Sequence, residues 1–112
     1  MKYPEGALKT ILELKQAAVP EAVFYIVFDR EPRNKTFKFL IPKGFKIKGD
    51  HVNRRWIFDV DVLDLDTNYK HREHTFWSPY GDLHFPTKNK PGFLFTNYWH
   101  AYAYRLKLER AA

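Results

Sequence analysis

"DVDVLDLDTNYKHREHTFW", residues 59–77, alternates acid with hydrophobe at first and then crowds charge, histidine and aromatic rings together. Two readings compete: a strand and turn of an ordinary sheet, or a cluster of metal-binding or catalytic groups. Alternation at period two is the mark of a half-buried strand. Trp56, Phe58, Val60 and Val62 share one face, so residues 54–66 form the longest predicted strand. Beyond Val62 the phase slips to Leu63 and Leu65, and a bulge near Val62–Leu63 would restore it. That bulge turns Asp59, Asp61, Asp64 and Asp66 all to solvent. "TNYKHREHTFW" then reads as the turn into the next strand.

Working outward, the N-terminal stretch predicts a helix. Pro4 suits a first helical turn, Leu8, Ile11 and Leu12 form a stripe, Lys9 and Glu13 pair at i,i+4, and Pro20 ends it. "EAVFYIVFD", 21–29, is β-branched and aromatic on both faces, as in a strand covered on both sides. "KTFKFLIP", 35–42, turns Phe37, Phe39 and Ile41 inward; Pro42 and Gly44 break it before "FKIK" resumes. Residues 67–92 read as loop-rich, with short extended pieces at "HTFW" and "DLHF". The last segment, "FLFTNYWHAYAYRLKLER", fits two templates. Alternation collects Tyr98, His100, Tyr102, Tyr104, Leu106 and Leu108; a helical stripe collects Trp99, Tyr102, Ala103 and Leu106, capped by Thr96 or Asn97. Alternation accounts for more apolar positions and predicts a strand. The expected fold is α+β over one domain, 1–112: an N-terminal amphipathic helix packed on a twisted, mostly antiparallel sheet of five to six strands.

Composition narrows the function classes. Of the 112 residues 18% are aromatic, which supplies burial in large units and argues against disorder. The absence of cysteine excludes a disulfide scaffold, a thiolate metal site and a cysteine nucleophile. No segment has the pattern of a signal peptide or a membrane span, so a soluble, cytoplasmic protein without a membrane partner is expected. The formal net charge of +6 is unevenly spread: residues 30–55 carry nine bases against two acids. Such a block points toward a polyanion.

Three constellations can be weighed. The first is the basic block itself: Arg30, Arg33, Lys35, Lys38, Lys43, Lys46, Lys48, Arg54 and Arg55, with Trp56, Tyr69, Trp77, Tyr80 and Trp99 as stacking candidates. Charge contacts of this kind bind nucleic acid in a salt-sensitive and largely sequence-blind way. The second is metal: Asp59 with Asp61, or His71 and His74 of "HREH" joined by His84, Asp82 or His100. Residues i and i+3 of a regular strand face opposite ways, so "HREH" needs a turn or helix to act as a pair. An acid row beside Lys38, Lys46 and Lys48 is equally a charge-paired solvent face. The third is nucleophilic catalysis, and it fails. Ser78, the only serine, sits in "FWSPYG" and not in GxSxG, and no phosphate-binding glycine loop is present.

Two short stretches resemble known families. "LDTNYKHREHTFWSP", 65–79, resembles a strand–turn–strand of the ubiquitin-conjugating fold; without cysteine it implies a non-catalytic binding module. "GDLHFP" is similar to the histidine stretch of JAB-type metalloproteases, but lacks the paired histidine and the following Ser-x-x-Asp. Neither assigns a family. The sequence therefore predicts a small basic non-enzymatic binding protein without cofactor, contacting nucleic acid or another polyanion through the 30–55 hairpin. The rivals are a metal-dependent hydrolase or nuclease, and a protein-interaction or self-assembly module using the aromatic 76–104 region.

Overall fold

The computed structural model describes residues 2–29, 35–87 and 90–111. Arg30 and Arg33 lie outside them. The elements are α1 (Ile11–Ala17), β1 (Ala22–Phe28), β2 (Lys35–Ile41), β3 (Lys46–Asp50), β4 (Arg55–Asp64), β5 (Lys70–Pro79), β6 (Phe93–Phe95) and α2 (Tyr98–Ala111). The class is α+β, as the sequence implies.

The strands form one antiparallel sheet. β1 lies between β2 and β6, and β4 carries β5 along one edge. The other edge of β4 is shared: β3 pairs with Arg55–Asp59, and β2 with Leu63–Asp64. Pro42 and Gly44 explain the division, because β2 stops at Ile41 and β3 starts at Lys46. Phe24, Ile26, Phe39, Ile41, Phe58, Val60 and Val62 fill the core on one face of the sheet, closed by Leu14 of α1 and by Leu83 and Phe85 of the segment before β6. On the opposite face Val27, Phe93 and Phe95 pack against Ala101, Tyr104 and Leu108 of α2. β1 is thus covered on both faces, which is why its sequence is apolar on both.

Both helices differ from expectation. The principal helix is C-terminal. At the N-terminus Gly6 takes φ +83° and Ala7 bridges to Phe95, so that stretch lies along β6 and not in a helix. Helix begins only after Thr10, whose hydroxyl accepts the Glu13 N–H at 3.1 Å. Its inward residue is Leu14, while Leu12, expected in the stripe, is 64% exposed. Residues 98–111, predicted as strand, are the fourteen-residue α2. The Asn97 side chain caps it by accepting Trp99 N–H at 2.8 Å and His100 N–H at 3.3 Å. Helix formers dominate beyond Ala101, and Ala101 is small enough to bring the helix against the sheet.

The irregularity expected in β4 lies instead in β5. Val60 faces His74 and Val62 faces His71, so β5 spends one more residue than β4 between these pairs. Glu73 adopts φ +52° within this bulge, and its N–H donates to Asp61 Oδ1 at 2.8 Å. β4 therefore keeps its alternation, and the four aspartates do not share a side. Asp59 and Asp61 lie opposite the core face. Asp64 follows Val62 and organises the β4–β5 turn, accepting the N–H groups of Asp66 at 2.9 Å and Thr67 at 3.1 Å.

Candidate ligand groove

The basic block does not come together as one positive face. Lys46 stands opposite Asp59 in the β3–β4 ladder, and Lys48 Nζ lies 3.7 Å from Asp59 Oδ2. Arg55 Nε donates to Asp50 Oδ2 at 3.1 Å, and its guanidinium lies 5.3 Å from the Trp77 ring centre. Lys43 and Lys46 line a cleft of about 500 Å³ whose other walls carry Asp59, Asp61 and Glu73. Lys35 is exposed at the start of β2, and Arg54 is exposed in the β3–β4 turn. Carboxylates on the walls of that larger cleft oppose a polyanion, and ion pairs at such exposed sites contribute little. Lys38 goes elsewhere, to the face covered by α2.

The metal candidates divide as well. The β5 bulge does what sequence spacing forbids: it turns His71 and His74 the same way, with ring centres 5.4 Å apart. Both sit opposite core residues of β4, whereas Asp59 and Asp61 point from the other face of that strand. His74 packs on Phe76 and Phe37, and burial, then the neighbouring His71, holds its pKa below the ordinary histidine value. His84 is remote in role. Its N–H donates to Ser78 Oγ, its Nδ1 is buried without a hydrogen-bond partner among the described residues, and desolvation lowers its pKa. Asp82, weighed with it, approaches the Tyr3 hydroxyl at 3.2 Å, and His100 packs over Gly6. Among the described residues no three His, Cys, Asp or Glu side chains are grouped to hold a metal ion. Ser78 is fully buried and donates to Asp82 O at 2.9 Å, which is a structural role.

One groove combines cations with free aromatic surface. It measures about 330 Å³ between β1, β2 and α2 and is lined by Tyr25, Thr36, Lys38, Asp66, Tyr98, Ala101, Tyr102 and Arg105. Its floor follows from register, since Tyr25 and Lys38 are direct cross-strand partners. Its wall follows from helix periodicity, since residues 98, 101, 102 and 105 fall on one face. The Tyr98 and Tyr102 rings are stacked at 6.0 Å and 21°, and Tyr25 meets Tyr98 edge-on at 5.7 Å. Arg105 Nε donates to Glu109 at 3.2 Å, an i,i+4 pair on the helix surface.

The five stacking candidates fare differently. Trp56 is half-buried against Tyr80, whose hydroxyl lies 3.2 Å from His51 Nδ1. Tyr69 packs by His71, and Trp77 is taken up with Arg55. Only Trp99 adjoins the groove, 5.1 Å from Tyr98 and 6.1 Å from Tyr102. The strand reading of 98–111 does not single out Tyr25, Tyr98, Tyr102 or Arg105; a helix there places residues 98, 101, 102 and 105 on one face, and that spacing is the signal for three of them.

Comparison with known protein families, curated proteins and solved structures finds no match. No helix among the described residues is long and apolar enough to cross a membrane.

Proposed function

We propose that the protein is a non-enzymatic binding protein whose groove between β2 and α2 takes an anionic ligand bearing a flat ring, of the nucleotide type. The observation that carries this is the meeting of Lys38 and Arg105 with three tyrosine rings in one open groove. Rings in this arrangement offer faces and edges to a base, and the two cations offer charge-assisted hydrogen bonds to phosphate. The polyanion role expected of the whole 30–55 block is thereby narrowed to Lys38, which lines this groove, whereas Lys46 and Lys48 face Asp59 and Lys35 lies outside the groove lining.

Titration with thymidine monophosphate, followed by NMR shifts of the tyrosine rings, tests this reading. Lys38→Ala and Arg105→Ala are each expected to weaken binding roughly tenfold or more, the scale of a lost hydrogen bond to a charged group. Lys46→Ala and Lys48→Ala should change it by less than about twofold. Equal losses at all four positions, or no binding at low salt, would refute the groove.

A second reading rests on the outer side of the same helix, which shares Tyr102 with the groove. Trp99, Tyr102, Ala103 and Leu106 form an outward stripe at helical spacing, and Trp99 is 69% exposed. This surface supports a protein-interaction or self-association role. Light scattering over a concentration series tests it; a constant monomer mass with wild type and Trp99→Arg alike argues against self-association.

A further inference from the structure

We infer that the ligand of this groove is a chain and not a single nucleotide: single-stranded nucleic acid, with Trp99 as a second base platform just outside the groove. The inference rests on the groove reading above. Trp99 is the most exposed of the three tryptophans, and two tyrosines of the groove lie against it at steep interplanar angles, Tyr98 at 73° and Tyr102 at 90°. Its backbone N–H is bound to the Asn97 cap, so the ring starts from the ordered first turn of α2. With the residue 69% exposed, the indole keeps ring surface, and so a stacking face, open to solvent.

A lone nucleotide in the groove has no use for that face. A second base on the same strand does, and aromatic platforms at successive positions are how single strands are bound without sequence preference. Paired duplex bases are stacked on one another and present no free face to either platform. The charge arrangement agrees. Lys38 and Arg105 provide two phosphate contacts, against a single carboxylate, Asp66, among the described residues lining the groove, and Arg105 keeps donors free beyond the Nε that it shares with Glu109. Two contacts predict a log K against log salt slope of about −1.4 for a single strand.

Fluorescence anisotropy with labelled dT8, alongside titration with thymidine monophosphate, distinguishes the two levels of the argument. The octamer is expected to bind at least about tenfold more tightly than the monophosphate, and far more tightly than an eight-base-pair duplex. Trp99→Ala should cost the octamer on the order of 5- to 100-fold, the range of one lost stacked base, and cost the monophosphate much less; Trp99→Phe should recover part of the loss. Monophosphate binding with no gain for dT8, or an unchanged dT8 to monophosphate ratio in Trp99→Ala, overturns the inference and leaves the groove reading standing. Absence of binding by both probes overturns the groove reading itself. Competition by polyglutamate as effective as by unlabelled dT8 also overturns the inference, since the ligand would then be an acidic peptide.

Discussion

Gly6→Ala tests how α2 is set against the N-terminal segment, and hence what holds the groove wall in place. Gly6 has φ +83°, and a Cβ there would meet the imidazole of His100 and come within 2.7 Å of its Cβ. Two costs add. The left-handed conformation costs alanine about 1–2 kcal/mol. Forcing a methyl group against a residue whose own Cβ is involved requires backbone movement, an overpacking cost of about 1–3 kcal/mol. The sum, roughly 3 kcal/mol, is a large share of the 5–15 kcal/mol typical of a domain. Urea unfolding at neutral pH should show the midpoint falling by roughly 1–2 M, given usual slopes for small domains. His100→Ala removes the ring but keeps the Cβ, so the Gly6→Ala/His100→Ala pair should recover part of the overpacking and retain the backbone cost. A cycle in which Gly6→Ala costs the same with and without the His100 ring would refute the packing argument. A cost for the single variant below about 0.5 kcal/mol would refute both parts.

Two further outcomes follow from buried polar groups and are checked by unfolding measurements. Ser78→Ala leaves the Asp82 carbonyl and the His84 N–H without the partner they share, so it should destabilise by about 2–4 kcal/mol; a loss within 0.5 kcal/mol would show that water replaces the hydroxyl. Burial, and then His71, lower the pKa of His74 in the fold, whereas the unfolded chain takes up the proton near the ordinary value of 6.5. The unfolded state then binds more protons over that range, so stability should fall as pH drops below about 6.5 and be unaffected by this group above it. In His74→Phe the acid-side loss of melting temperature should shrink, with a remainder from His84, whose pKa is lowered for the same reason. An unchanged acid limb would rule out His74 as its source.

The strand faces were legible because alternation is local. Phe37, Phe39 and Ile41 point inward as read, β1 is apolar on both sides because it is covered on both, and Pro42 with Gly44 ends β2 where expected. The same local logic misled at residues 98–111. Tyr, Leu and Ala positions there satisfy period two and period 3.6 together, and the outcome depended on an exposed Asn97 cap and on a sheet face, Val27 with Phe93 and Phe95, that needed covering. "HREH" is a second case. Its histidines are three apart, so a regular strand sends them to opposite faces; one extra residue in β5 brings them to one face, and no residue type in the stretch announces that bulge.

From sequence alone came the class, the central strand, the inward faces of β2 and β4, and the absence of thiol chemistry. Each depends on residues within a few positions of one another, or on a residue type that is missing. The tertiary structure decided that lysines 46 and 48 face an acid row and that Lys38 stands apart from them under α2. It also decided that Tyr25, Lys38 and Arg105 share a groove. Those three are brought together by strand register and helix packing across most of the chain's length, and long-range registry of that kind leaves no local pattern to read.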